Sequence, residues 1–139
     1  MASLAVMNTV ASIVSTNWSH TPIYDPNTIG SVPGDNSAFI EIGYPFMSAR
    51  QYSFGATTNY HEETGGARIG LFIPIGVGVN PSGSPWMTRI ETLMQQFRGK
   101  FTNSIEFLGF IGPNIRDDSD EGAYYEISFV VSYRRMSLA

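Results

Sequence analysis

Two short runs hold most of the side chains that could do chemistry. Tyr60-His61-Glu62-Glu63 sets an imidazole beside two carboxylates, and Arg116-Asp117-Asp118-Ser119-Asp120-Glu121 gathers four acids behind an arginine. Carboxylate oxygens of the second kind suit calcium or magnesium. A calcium loop, however, also needs a glycine at its sharp turn and a bidentate glutamate six residues later, and this run has neither in register. Side chains adjacent on an extended chain point to opposite sides, so His61, Glu62 and Glu63 do not converge on one ion. Both runs read as solvated hairpin tips, and both are candidates for contact with a partner.

The remaining chemistry is scattered. Glu41, Glu106 and Glu126 sit singly in strand-like segments, and a glycosidase needs two carboxylates at a defined separation in a cleft. The expectation for all three is the solvent face of half-buried strands. His20 and His61 are the only histidines, and no serine occupies a nucleophile-elbow motif. Gly76-Val77-Gly78 lacks the lysine and third glycine of a phosphate-binding loop and is read as a strand-to-helix connection. With no cysteine there is no thiolate nucleophile and no cysteine-bound zinc. The sequence therefore predicts no catalytic residue, no metal ligand and no cofactor.

The elements that must position these residues follow from periodicity and punctuation. Val6, Val10, Ile13 and Val14 make a helical stripe over residues 3–15. The stretch from Met1 to Val14 has no basic flank and so reads as a mature helix, not a signal peptide. Residues 18–36 are rich in Pro, Gly, Asn and Asp and read as one long loop. Ala38 to Tyr44 alternates as a first strand stopped by Pro45, and Arg50 to Thr57 is a second, with Tyr52 and Phe54 on one face. Asn59 to Gly66 is a polar hairpin loop. Ala67 to Ile75 is a third strand that Pro74 should mark as an edge or an end.

The second helix is punctuated by Ser84 as cap, Pro85 at its first position and Gly99 after its end. Its apolar face is Trp86, Ile90, Leu93, Met94 and Phe97, which must dock on the sheet. Ser104 to Ile111 is a strand and Gly112 to Gly122 a charged hairpin loop. Ala123 to Tyr133 is the longest strand, with Tyr125, Ile127, Phe129, Val131 and Tyr133 on its core face. The expected fold is α+β: one small domain over residues 1–139, with a mixed, mostly antiparallel sheet in a 38–135 core and two helices packed on one face.

Composition narrows the function classes. The chain is 139 residues long, a usual size for a single domain, and 42% apolar, which excludes disorder. Charged residues are only 14%, against about 25% in an ordinary domain, and seven of the eight basic residues are arginine. Interfaces are depleted in lysine and glutamate and enriched in arginine and aromatics, so the balance points to a subunit of an assembly. Tyr60, Tyr124 and Tyr133 are candidate interface anchors. The net charge of −4 argues against a general nucleic-acid binder, which would need a basic stripe, so no direct sequence-specific nucleic-acid binding is expected either, and no apolar run reaches the roughly 20 residues of a membrane span.

Several features occur in one order. They are Thr21-Pro22-Ile23, Gly66 before a strand ending Phe72-Ile73-Pro74-Ile75-Gly76-Val77-Gly78, a helix ending Phe97-Arg98-Gly99, then Ile105 to Gly112-Pro113, then Tyr125 to Tyr133. This order resembles the small tail terminator (tail completion) proteins of tailed bacteriophages, over roughly Ala38 to Tyr133. The resemblance implies a virion structural protein without enzyme activity or cofactor. Copies would form a ring, commonly hexameric, that caps the tail tube and joins it to the neck. Its partners would be other copies of the chain, the tail-tube protein and a neck or head-tail connector protein. Its place would be the virion tail and neck, assembled in the host cytoplasm. Tyr60, His61, Glu62, Glu63, Arg116, Asp117, Asp118, Asp120 and Glu121 are the residues expected to touch these partners. The alternatives are another neck or tail-tube ring component, or a small soluble ligand-binding module.

Overall fold

The computed structural model describes residues 3–25, 37–51, 53–55, 58–74, 83, 85–118 and 124–138, with the side chains of 116–118, 124 and 138 excepted. In chain order the elements are α1 (Leu4–Asn17), β1 (Ile23–Tyr24), β2 (Phe39–Gln51), β3 (Tyr60–Pro74), α2 (Trp86–Gln95), β4 (Phe101–Thr102), β5 (Ile105–Asp118) and β6 (Tyr124–Leu138). The six strands form one sheet in the order β1-β2-β3-β6-β5-β4. β1 pairs parallel with β2, and every other neighbour is antiparallel. The fold is thus α+β with a mixed, mostly antiparallel sheet.

Alternation along β3 and β6 divides the sheet into two faces. Ala67, Ile69, Leu71 and Ile73 of β3 and Ile127, Phe129, Val131 and Tyr133 of β6 share a face and are buried. Val6, Val10, Ile13 and Val14 of α1 and Ile90 and Leu93 of α2 join them in one continuous core, so both helices cover that face. Phe97, just past α2, is fully buried and meets Phe107 and Phe129 edge to face, with ring centroids 5.2 and 6.0 Å apart. Such aromatic contacts add to area burial and tie the end of α2 to the sheet. The opposite face carries the smaller cluster of Phe39 stacked on Phe72 at 4.9 Å, with Tyr24 beside them.

The strands are fewer and longer than the turn residues suggest. Pro45 does not stop the first strand, because β2 continues to Gln51 and absorbs the start of the expected second strand. The register shifts between Gly43 and Phe46, and β1 covers the outer side of β2 only at Ile40 and Glu41. Pro45 therefore sits at a bulge on an edge, where its missing N–H costs no ladder bond. Tyr52 lies outside the described residues, and Phe54, beyond the strand, is exposed.

Asn59 to Gly66 is not a loop tip. Residues 60–66 are the first half of β3, paired with β6 throughout and with β2 from His61 on. Gly112 to Gly122 is likewise strand as far as Asp118, with a register shift between Ile111 and Asn114 around Pro113. Residues 119–123 lie outside the described set. The long loop over 18–36 contains β1, and its residues 26–36 lie outside that set, as do Ile75 to Gly78 and Ser84. Pro85 stands at the cap position of α2 without a side-chain cap, and Gly99 has the left-handed φ of +68° expected after a helix.

Leu93 and Phe129 are 1% and 0% exposed, so Leu93→Ala and Phe129→Ala should each destabilise the domain by about 2–5 kcal/mol. Denaturant melts measure this. Losses below about 1 kcal/mol at both positions would contradict a core shared by α2 and β6.

Candidate functional site

Pairing separates the two runs that the sequence singles out. Tyr60 to Glu63 face Leu138 to Arg135 at one end of β6, whereas Arg116 to Asp118 face Glu126 to Tyr124 at the other. From Met136, opposite Glu62, to Tyr125, opposite Asp117, is 136 − 125 = 11 residues of strand, or about 36 Å at ~3.3 Å per residue. The runs are opposite ends of one sheet and cannot form a common site. Asp120 and Glu121 lie outside the described residues.

Within the first run the four side chains diverge, as strand alternation requires. Tyr60 is half exposed, and Glu62 pairs across the strands with Arg50 at 3.1 Å. His61 is half-buried. Glu63 is 7% exposed, on the helix-covered face, and so is not a free partner-binding group. Its Oε2 accepts a hydrogen bond from the Tyr133 hydroxyl at 2.6 Å and another from the Ser3 backbone N–H at 3.1 Å. Tyr133, a candidate interface anchor on sequence, is thus core.

Ser3 is the cap residue of α1 and makes no side-chain cap of its own. In a capping box, a glutamate on the first turn reaches back to the cap residue's N–H. Here Leu4, Ala5 and Val6 offer no carboxylate, and Glu63 fills that role from the sheet. Its negative charge also complements the positive end of the helix dipole. One turn further on, the Tyr44 hydroxyl donates to the Met7 carbonyl at 3.4 Å.

Gly65 makes this clamp possible. It lies directly across from Tyr133, and a Cβ at Gly65 would come within 2.7 Å of the Tyr133 hydroxyl oxygen and 2.6 Å of the Phe46 carbonyl oxygen. Only a residue without a side chain lets the ring lean over its partner to reach Glu63. Burial pushes the Glu63 carboxyl up. The hydrogen bonds from Tyr133 and Ser3 and the Arg135 charge outweigh burial and hold it below the usual glutamate range. Burial, then the hydrogen bond and charge of Glu63, raise the Tyr133 phenol well above the ordinary tyrosine range.

The helix-free face carries ion pairs. Glu126, expected on sequence to face solvent, is 3% exposed and pairs with Arg68. Gly70 lies between them, with the Arg68 guanidinium passing 3.2 Å from where a Cβ would stand. Glu106 pairs with Arg134, its direct cross-strand neighbour, at 2.8 Å. Glu41 is exposed on the same face. The strand carboxylates are thus separately placed and do not make an acid-base couple.

Two further places carry polar groups. His20 meets the buried Trp18 edge to face, and burial followed by the Arg89 charge lowers its pKa. A groove of about 420 Å³ lies between the polar side of α1 and residues 100–103 around β4, where Asn8, Ser12, Asn17, Lys100 and Asn103 present amides, a hydroxyl and one ammonium. Among the described residues, no three His, Asp or Glu side chains come together as metal ligands. None of the described helices is long and apolar enough to cross a membrane.

No protein-family model matches this chain, and no curated protein sequence matches it.

The lowered Glu63 pKa makes the clamp acid-sensitive. Its contribution is complete above the ordinary glutamate value of about 4.3 and is lost as the pH falls through the lower folded-state value. Glu63→Gln should cost about 1–3 kcal/mol at pH 7 and flatten the fall in stability in acid. Gly65→Ala should destabilise by a similar ~1–3 kcal/mol through overpacking. Denaturant melts at several pH values between about 7 and 3 test the clamp. Parallel pH profiles for wild type and Glu63→Gln would show that the carboxylate is not linked to folding.

Proposed function

We propose that the chain is a subunit of a virion ring of the tail terminator type, capping the tail tube at one end and meeting the neck at the other. The observation that carries this reading is the separation of the two polar runs, which lie about 36 Å of strand apart at opposite ends of one continuous sheet. A subunit joining two different partners along an axis needs two such ends held at a fixed distance, and strands paired along their length provide it. Tyr60, His61 and Glu62 serve one end. Arg116, Asp117, Asp118, Asp120 and Glu121 serve the other, where charges set orientation and partner choice more than affinity. Glu63 is withdrawn from this list because its carboxylate is engaged at α1.

Exposed apolar side chains flank the same sheet. Phe46 and Met47 lie on the β2 side, and Leu108, Ile111 and Ile115 lie on β5. Surfaces of this kind suit contacts between copies, as does the low charge content. Other neck or tail-tube rings share these requirements. The polar groove beside α1 favours a different class, a ligand-binding module acting as a monomer.

Light scattering coupled to size exclusion, with negative-stain imaging, separates the classes. A closed ring is expected, and a chain that stays monomeric under all tested concentrations and salts would overturn the reading. Changing Asp117, Asp118, Asp120 and Glu121 together to Ser should leave the fold intact and impair attachment to tube or neck. Complementation of a phage lacking this gene is the assay, and full production of correctly terminated tails by that variant would remove the role assigned to the acids.

A further inference from the structure

Among the residues lining the groove beside α1, Lys100 alone is charged, in a chain whose net charge is −4. It is the chain's only lysine and forms no ion pair among the described residues. Its backbone is fixed from both sides: the N–H donates to the Phe97 carbonyl at 3.3 Å, and the carbonyl accepts from the Phe107 N–H at 3.1 Å. α1 contains no charged residue. Glu106 stands across from Phe101, on the other side of β4 from Lys100 and Thr102, and is paired with Arg134. The groove therefore has one cation and no acid.

The neutral groups are oriented by the backbone. A carbonyl can only accept, so the Thr9 hydroxyl gives its proton to the Ala5 carbonyl at 2.8 Å and accepts from the Asn103 amide nitrogen at 3.2 Å. The Ile13 carbonyl likewise takes an N–H of the Asn17 amide at 2.8 Å. Both amides thus spend their nitrogen on the protein and keep their oxygens as acceptors. Asn8, Ser12 and Thr16, four residues apart along α1, add an amide and two hydroxyls on one line. Asn103 and Ser104 both have left-handed φ, +52° and +63°, in the two-residue turn from β4 to β5. That turn pins the wall of the groove to the buried Thr9 of α1.

We propose that this groove binds a small hydroxylated carboxylate of the uronic-acid kind, its carboxylate on Lys100 and its hydroxyls on the amide and hydroxyl groups of α1 and Asn103. The assignment goes beyond the ring reading and holds for a ring subunit and a monomer alike. A volume of about 420 Å³ falls within the roughly 300–1,000 Å³ of small-molecule sites. A zwitterion would need an acid for its ammonium, and the groove has none. A phosphate dianion favours a second cation or an arginine fork, which is also missing. No aromatic ring lines the groove to stack a base.

Saturation-transfer difference NMR on the full chain tests the site, with D-glucuronate, D-glucose and acetate as probes. D-glucuronate should bind at least about threefold more tightly than either, because glucose lacks the charge and acetate the hydroxyls. Lys100→Met, at an exposed position, should keep the wild-type circular dichroism and bind D-glucuronate no better than D-glucose. Asn103→Gly, which keeps the left-handed turn, should weaken the binding of both sugars. Preference for methyl D-glucuronide over the free acid would assign the site to a unit of a polysaccharide, and the reverse preference to a free sugar acid. Equal binding of acetate and D-glucuronate would reduce the site to a lysine that attracts anions and overturn it. Tighter binding of an acidic tripeptide than of D-glucuronate would replace the sugar acid with a peptide. No transfer from any probe at about 10 mM, with wild-type circular dichroism, would overturn the site and leave the ring reading untouched.

Discussion

Fifteen consecutive residue pairs join β3 to β6, from Tyr60 and Leu138 to Pro74 and Tyr124, without a register shift. Everything else is positioned by that ladder. It sets Ile69, Leu71, Ile127 and Phe129 on one face, where the two helices cover them, and it holds the ends of the sheet at a fixed separation. The irregularities are displaced outward. The bulges occur where β2 and β5 meet this central pair, one on each outer strand falling at its proline and a second on β5 at Leu108 and Gly109. Regular pairing at the centre with bulges at the rim lets the sheet stay uniform inside and bend at its sides.

The glycines of β3 show how one strand can serve two faces. Gly65 receives the Tyr133 ring on the helix side, and Gly66 receives the Phe46 ring on the other. Gly70 gives passage to the Arg68 guanidinium on its way to Glu126. Strand glycines cost conformational entropy, and here each one is occupied by a neighbour's side chain. The clamp on α1 is an instance with energetic weight: a strand carboxylate, freed of steric competition by Gly65, completes the cap that the helix's own first turn lacks. The helix is thereby tied to the sheet at its first residue as well as along its apolar stripe.

The functional reading depends on the same ladder. A subunit that joins two partners along an axis has to transmit a fixed spacing, and a paired sheet does so better than loops. On the proposed ring reading, the exposed apolar side chains of β2 and β5 would serve contacts between copies and the polar ends of the sheet contacts along the axis. The groove beside α1 is separate from both and uses the polar side of the helix.

The pattern of residues alone determined the fold class, the helical stripe of α1, the docking face of α2 and the apolar face of β6, because burial periodicity is written directly into residue order. It misplaced the strand limits for a physical reason. Pro45, Gly65-Gly66 and Gly112-Pro113 carry the same local signals whether the chain turns or continues past a bulge, and only the partner strand decides between them. In sequence Glu63 reads as part of a polar hairpin tip and Glu126 as a solvent-facing strand acid. Their burial comes from groups distant in the chain: Ser3 and Tyr133 for Glu63, and Arg68 for Glu126. The opposite placement of the two polar runs is likewise invisible along the chain, since it follows from β3 and β5 pairing with the two ends of β6. Local order specifies which faces are apolar, while register, a property of pairs of strands, specifies which residues meet.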